Sequence, residues 1–591
     1  MANEYPTKTR KPIITIEDWD KGIADDPYTG FEMIQNLNEN KPGIASCGFY
    51  LQQSSFYTGA LTVTPNNTTD TFATATDWIG ANNFYNGVAV TFASTGSVPT
   101  GITAGTVYYT YYVSTTSFKV CTSLANVDTA TTVNFTDNGS GTITVTFITM
   151  GGITQTAFNT VTNRWYAVDS NGRVWSTDWS GSYFTLIDGN TRTSSSGNGI
   201  AVWKNYLIVF RNQAIDAWGP LTTAYDSRTW TSNFASTQTS ISTQGSHNAH
   251  VAQDDLLYWC DGRYIGSLLE KSGQTFDPAT AATFTGNNSA LSLPSYVTAK
   301  DLEEYGTYLC VGATSNNKAY VYPWDRVSPL SNFPVEVPET TLQSIININN
   351  VLYVITNSRA AVYSTNLSSV ALVRALPNSL MVASYPSNGY LSIGSSAKMG
   401  GRLYLGVTAG TSTTGNTGIY SLDVSTGALK LANTLPSGTT TSSASITSIC
   451  QSSVFNDGTP AYIAFELASN RTTSYTHLNQ YPYTNYESQI ITPFYEMSYD
   501  AFKPYALQKA VFYLQWALGG SDAIKLEYRK VDGGTWTSCG ELTASTQNAV
   551  ISPTLEMPLY IYANQVQFRI SIKSANFTGS TFVRLKKVEI I

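Results

Sequence analysis

The stretch "NRWYAVDSNGRVWST" (residues 163–177) decides the fold. It reads as an apolar strand, a turn on Asp169-Ser170-Asn171-Gly172, and a second strand carrying an aromatic residue. Asp and Asn side chains bond nearby backbone and Gly tolerates left-handed conformations, so the tetrapeptide is turn chemistry. The same plan returns as "KNYLIVFRNQAIDAWG" (204–219), "DDLLYWCDGRYIGSL" (254–268) and "GTYLCVGATSNNKAYVYPW" (306–324). It continues as "NNVLYVITNSRAAVYS" (349–364), "GGRLYLGVTAGTSTTGNTGIYSLD" (400–423) and, more faintly, "GTPAYIAFELASNRTTSYTHL" (458–478). Each unit is a small polar group, a short apolar strand, a turn and a partner strand. The aligned aromatics are Tyr166, Tyr206, Tyr258, Tyr308, Tyr353, Tyr404 and Tyr462, spaced by 40, 52, 50, 45, 51 and 58 residues. Periods of about 40–50 residues built from hairpins match propeller blades. One four-stranded blade cannot bury both of its faces alone, so blades stack radially and each covers the next. Seven hairpins predict about seven blades.

Composition agrees. Charged residues are 12% of the 591 and aromatics 13%, with 38 Tyr. Ordinary globular chains carry about 25% charge. A chain rich in Tyr, Thr, Val and Gly favours strands and tight turns over helices. The closest approach to a helical pattern is short, between Phe31 and Leu37, and very little α-helix is expected. The net charge of −7 and pI near 5.2 make a free nucleic-acid binder a poor reading. The short basic group Lys8, Arg10 and Lys11 reads as a solvated arm. The six cysteines, Cys47, Cys121, Cys260, Cys310, Cys450 and Cys539, are dispersed without CxxC spacing, which predicts free buried thiols. No apolar run suits a secretory leader at the N-terminus or a membrane span.

Texture divides the chain into four parts. Residues 1–57 hold the early charge and are expected to be an N-terminal arm with the first propeller or docking strands. Residues 58–147 are Thr-rich and almost uncharged, an inserted small β module; residues 148–485 carry the repeats. Residues 486–591 alternate like a β-sandwich. In its last strand Val583 and Leu585 share one parity and Val588 and Ile590 the other, so a bulge at Lys586-Lys587 is expected to keep all four on one face. The fold class is therefore all-β: a β-propeller of about seven blades, with an inserted small β domain near the N-terminus and a C-terminal β-sandwich.

Within the inserted module, "ANNFYNGVAVTFASTGSVPTGITAGTVYYTYYVSTTSFKVCTSLANV" (81–127) resembles a small β domain that recurs in tail proteins of tailed bacteriophages. The residues that carry the likeness are Gly87, Val90, Phe92, Pro99, Gly101, Ile102, Gly105, Thr106, Tyr108 and Tyr109, then Phe118, Lys119, Thr122 and Ser123. The closing "NFTDNGSGTITVTF" (134–147) looks like the family's last turn and strand, whereas "YYTYYVSTT" departs from it by an extra aromatic pair. A shorter likeness, at Asn36, Asn38, Lys41, Pro42 and Gly43, is to the N-terminal phrase of phage tail nozzle and ring proteins. The resemblance implies a virion structural protein, made in the host cytoplasm and placed in the tail as a ring, nozzle or fibre-adaptor component. Its implied partners are further copies in a ring of six and other tail or fibre proteins, with genomic DNA passing transiently and no membrane span. The alternative is a receptor-binding tail protein that recognises a host surface glycan through its aromatics.

In the strand "VYYTYYV" (107–113), Val107, Tyr109, Tyr111 and Val113 share one face and Tyr108, Thr110 and Tyr112 the other. Both faces carry aromatics, so the strand is either covered on both sides or offers a sticky outer face. Tyr108, Tyr109, Tyr111 and Tyr112 are the candidate interface residues.

The remaining ionisable groups offer little chemistry. His247 and His250 have ligand-like i, i+3 spacing but sit where a loop enters a strand. With His477 the only other histidine, a Ser-His-Asp triad has few places to form. Asp18, Asp20, Asp25 and Asp26 cluster in the arm; Asp254/Asp255 and Glu303/Glu304 stand at blade starts, where acidic side chains satisfy turns. No phosphate loop is present. No enzyme activity, catalytic residue, metal or cofactor is expected.

Overall fold

The small polar groups that head each repeat bend the chain back on itself. Lys204 and Asn205 have φ of 47° and 66°, Asn349 and Asn350 of 52° and 61°, and Gly400 and Gly401 of 55° and 77°. Two consecutive positive φ values make the tight turn whose twist matches antiparallel strands. In the computed structural model the described residues are 14–17, 21, 23, 33–35, 45–46, 49–54, 60–75, 86–148, 150–178, 185–187, 197–223, 228–237, 248–329, 333–357, 359–377, 391–409, 417–434, 445–454, 460–468, 471–482, 488–497, 504–515, 518, 522–531, 534–543, 554–573 and 583–591.

Among these residues, seven antiparallel four-stranded blades follow one another. Blade 1 is Ile153–Asn159, Arg164–Asp169, Val174–Asp178 and Thr185–Leu186. Blade 2 is Gly197–Trp203, Tyr206–Arg211, Ala214–Gly219 and Thr229–Thr231. Blade 3 is Ala249–Val251, Leu257–Asp261, Tyr264–Glu270 and Phe284–Ser292. Blade 4 is Thr298–Tyr305, Tyr308–Ser315, Lys318–Trp324 and Val335–Val337. Blade 5 is Leu342–Ile348, Val351–Thr356, Ala361–Thr365 and Val370–Ala375. Blade 6 is Leu391–Met399, Arg402–Ala409, Gly418–Leu422 and Leu429–Thr434. Blade 7 takes Ser445–Val454, Pro460–Ala468 and Arg471–Pro482 from the repeats and its fourth strand, Phe49–Ser54, from the N-terminal part. A strand from far up the chain thus closes the ring, so blade 7 is not built from residues 148–485 alone.

The core is a set of apolar layers between blades. Tyr166, Val168, Leu207 and Val209 pack between blades 1 and 2. Ile208, Phe210, Leu257 and Trp259 fill the next layer, and Tyr258, Cys260, Leu309 and Val311 the one after. The last layer sets Ile463 and Phe465 of blade 7 against Trp165 and Ala167 of blade 1, which makes the ring continuous. The aligned tyrosines all lie on second strands, but Tyr462 faces backward onto Tyr404 of blade 6, 5.6 Å between ring centroids. The seventh repeat is therefore one residue out of register with the other six, because a single-residue slip exchanges the faces of a strand.

Between the closing strand and blade 1 sits a closed six-stranded barrel of Ala60–Asn66, Thr71–Thr74, Ala89–Ser94, Tyr108–Ser114, Ser117–Cys121 and Ile143–Phe147. Phe72, Phe92, Phe118 and Phe135 fill it, with Phe72 4.5 Å from Phe92 and 5.0 Å from Phe135. Gly101 has φ of 109°, and a Cβ there would come within 2.6 Å of the Asn134 carbonyl. The α-helix of the described residues is one short piece, Leu124–Asp128. No helix among them is long and apolar enough to cross a membrane.

The C-terminal sandwich has two sheets. In one, Arg584–Ile590 and Tyr505–Leu514 lie between Ile14–Ile16 and the edge strand Thr554–Ala563. The other joins Met33–Gln35, Ser488–Ile491, Gln565–Lys573, Ala523–Arg529 and Thr537–Thr543, and Met33–Gln35 pairs in parallel with the outer strand of blade 6. The sandwich is thus continuous with blade 6 and built partly from N-terminal strands; the helix-like pattern around Phe31–Leu37 holds a strand instead. The expected bulge is present: Tyr513 pairs with Lys587 and Leu514 with Leu585, and Val583, Leu585, Val588 and Ile590 are all buried.

Candidate functional site

The tyrosine strand of the barrel is covered on both faces. Tyr108 is buried in the barrel, its hydroxyl accepting from the Thr103 amide at 2.9 Å, and Tyr112 packs on the same core. Tyr109 is buried on the opposite face among Met150, Trp165 and Trp175, with Tyr111 beside it. These side chains fix the barrel to blade 1 of their own chain. Tyr108 and Tyr109, each 5% exposed, thus meet intramolecular partners rather than a neighbouring subunit, and Tyr111 and Tyr112 are half-buried. The alternation was legible; what covered the outer face was not.

The acidic pairs at blade starts come together across blades. Arg326 of blade 4 donates from one Nη atom to Asp254 at 2.9 Å and to Glu304 at 3.1 Å. Glu304 accepts from the Gln253 amide at 2.9 Å and lies 3.8 Å from His250. Lys204 of blade 2 bridges Asp255 and Glu270 of blade 3. Glu303 lies 3.8 Å from Lys398 of blade 6, and Lys398 also donates to the Asn347 carbonyl at 3.2 Å. Asp301 accepts from the amides of Ile345 and Leu302, at 2.9 and 3.0 Å.

Burial pushes the Asp301 carboxyl up to about 7. It does the same to Glu303, which is also raised to about 7 although Lys398 opposes the shift. Burial holds His250 below its ordinary value, with Glu304 acting the other way. The chemistry available is proton uptake near neutrality and ionic locking between blades. Asp301 uses both oxygens on backbone amides, so it braces blade 4 to blade 5. Asp254 and Glu304 are joined through one guanidinium, a lock between blades 3 and 4.

Of the other sequence candidates, His247, Lys8, Arg10, Lys11, Asp18, Asp20, Asp25, Asp26 and the Asn36–Gly43 phrase lie outside the described residues, as does Cys47. Cys121, Cys260, Cys310 and Cys450 are buried thiols, and Cys539 is a half-buried one.

Sequence reasoning missed a group of surface side chains. The strongly exposed large apolar residues fall mainly into two places. Val251, Leu269, Tyr296, Val327 and Phe333 belong to blades 3 and 4 or their connections, and Tyr505, Val531, Tyr560 and Tyr562 to the sandwich. Strand alternation signals some of these, but exposure depends on which face the fold leaves open.

The fold defines the class: a seven-bladed β-propeller protein with an inserted barrel and an appended sandwich. Similar solved structures are propellers. The β-propeller domain of Cps50 (Swd1) from Myceliophteria thermophila is 11% identical, with a TM-score of 0.37 over 56% of this chain and 99% of that one. The WD40 propeller domain of Doa1 is 9% identical, TM-score 0.37, over 56% of this chain and 95% of that one. The Dos1 propeller is 11% identical, TM-score 0.37, over 56% and 93%. No protein family matches the sequence, and no curated protein does.

Proposed function

We propose that the protein is a structural component of the tail of a tailed bacteriophage, a ring, nozzle or fibre-adaptor subunit that works through subunit–subunit interfaces and not through catalysis. The observation that carries this reading is the inserted module. Residues resembling the recurrent phage-tail β domain coincide with a closed barrel, with Phe92, Phe118 and Tyr108 in its core. The wheel supports it in kind. A propeller closed by a distant strand, locked between blades by buried acids and extended by a sandwich, is a rigid body suited to repeating contacts. In a ring, each head-to-tail contact is used once per subunit and the assembly closes. Six copies are the expected number, and the virion tail is the expected location.

Negative-stain microscopy of the purified chain, together with immunogold labelling of the virion that encodes it, tests the reading. Closed rings and label on the tail are the expected result. Absence of label from the virion overturns it.

The exposed rings of Tyr560 and Tyr562 favour one second reading, recognition of a host surface glycan by stacking. Saturable binding of unassembled chain on a glycan array supports that alternative.

A further inference from the structure

We infer that the inserted barrel is the clamp of the wheel: seated on blade 1, it holds the closing strand Phe49–Ser54 against blade 7, and the ring opens when the barrel comes off its seat.

Chain order sets the place where the ring can part. In blades 1–6 the four strands are consecutive along the chain, and each fourth strand leads on to the next blade. Blade 7 is divided. Its third strand, Arg471–Pro482, leads on to Ser488–Ile491 of the sandwich, and its fourth comes from residues 49–54. The ladder between those two strands is therefore a joint of the wheel with no turn behind it. It pairs Ser474 with Ser54 and His477 with Leu51, and its register slips before Pro482 meets Phe49. Joining segments so far apart in sequence costs more closure entropy than forming a hairpin.

Along the chain the closing strand belongs to the barrel. Residues 55–59 separate it from the first barrel strand, Ala60–Asn66, and residues 148–152 separate the last barrel strand from blade 1. The first and last barrel strands are neighbours, with Thr146 opposite Ala60, so the two ends of the insertion leave it side by side. The barrel thus stands in the connection that runs from the fourth strand of blade 7 to the first strand of blade 1.

The seat lies on the face of blade 1 that blade 7 covers. Ala167 pairs with Trp175, and Trp175 with Leu186. Residues directly opposite in a ladder share a face. One apolar layer on that face takes in Ile463 and Phe465 of blade 7 together with Tyr109 and Ala89 of the barrel. Leu124, on the short helix of the barrel, also reaches the layer between blades 1 and 2. A Cβ on Gly87 would lie 3.1 Å from Leu124 and 3.7 Å from Thr185 of the outermost strand of blade 1. The barrel therefore straddles the outer rim of blade 1, with one side wedged where blade 7 meets it. A body held there fixes the strand that precedes it. Seated, it presents Phe49–Ser54 to the edge of Arg471–Pro482 at high effective concentration. Unseated, it leaves that edge unpaired, and the wheel loses its closing ladder.

Hydrogen exchange read by mass spectrometry on full-length chain tests the clamp. Tyr109→Ala should raise exchange in Phe49–Ser54 and Arg471–Pro482 by about tenfold or more, along with the seat itself, and leave blades 3 and 4 as in the wild type. Gly266→Ala, in blade 3, lies away from the seat and should leave the closing ladder protected. A rise confined to the barrel and blade 1 overturns the clamp. So does an equal rise in every blade, or a rise in the ladder that Gly266→Ala matches. If Tyr109→Ala does not fold, wild-type chain in rising urea below its unfolding transition decides instead. The seat and the closing ladder should then lose protection in one step, ahead of blades 3 and 4, and a seat that opens while the ladder stays protected overturns the inference.

Discussion

Gln155, on the first strand of blade 1, grips Ala249, on the first strand of blade 3. Its Nε2 donates to the Ala249 carbonyl at 2.9 Å, and its Oε1 accepts from the Ala249 amide at 3.1 Å and from the Ile200 amide of blade 2 at 3.0 Å. One side chain thus ties three blades at the axis, where first strands of successive blades face one another. Asn248 repeats the device, donating to the Lys300 carbonyl of blade 4 at 2.7 Å, and Gln343 donates to the Gly394 carbonyl of blade 6 at 3.0 Å.

Gln155→Ala should cost about 1–3 kcal/mol, because it strands backbone donors and an acceptor that water reaches poorly. Gln155→Glu keeps the two accepted bonds and loses the donated one, so it should fall between wild type and alanine. Urea unfolding of the three chains checks the order; an alanine variant as stable as the wild type refutes the axial role.

Gly266 stands directly across from Trp259 in blade 3, and a Cβ at that position would lie 2.1 Å from the indole ring. The ring is wholly buried and packs on Phe210 at 5.4 Å. Gly266→Ala should therefore displace the indole and cost about 1–3 kcal/mol as an overpacked core does. Thermal melting followed by Trp fluorescence checks both the loss and the changed ring environment.

Tyr109→Ala should loosen the barrel from blade 1, at about 3–5 kcal/mol for a large aromatic removed from a packed layer. Tyr108→Phe loses only one hydrogen bond inside the barrel, about 1 kcal/mol. Hydrogen exchange checks the contrast. The first variant should raise exchange in blade 1 strand Arg164–Asp169 as well as in the barrel, and the second in the barrel alone.

Glu303 has a folded-state pKa raised to about 7, above its unfolded value of about 4.3. The native state then binds more protons than the unfolded chain between those values, so this group's stabilising contribution is complete below about pH 4 and is lost as pH rises through about 7. Asp301 acts in the same direction, while His250, held low by burial, acts oppositely as pH falls below its ordinary range. The difference between wild type and Glu303→Gln isolates the one carboxyl. Wild type should lose stability relative to the variant as pH goes from 5 to 8; a constant difference across that range refutes the shifted carboxyl.

Much of the wheel was legible because its turns are local. Asn349-Asn350 and Gly400-Gly401 can take positive φ, and the strands after them are short and apolar, so hairpin, period and blade number follow from neighbours in sequence. Tyr462 shows the limit. Its motif reads like the others, but its parity is opposite: Tyr462 faces blade 6, whereas Ile463 and Phe465 face blade 1, a slip that only the packed layers reveal. The bulge at Lys586-Lys587 was legible, since a change of parity within one strand has few other outcomes.

Chain alternation by itself determined the all-β class, the repeating hairpins, an inserted β module, a C-terminal sandwich pattern and the two-faced tyrosine strand. These rest on contacts between near neighbours. Only the tertiary structure decided that Phe49–Ser54 closes blade 7, that Met33–Gln35 welds the sandwich to blade 6, that Tyr109 is covered by its own propeller, and that Phe333 and Tyr560 are left bare. Each of those depends on partners hundreds of residues away or on which face the packed layers leave open. A strand's own sequence sets its faces, and the rest of the chain decides what covers them.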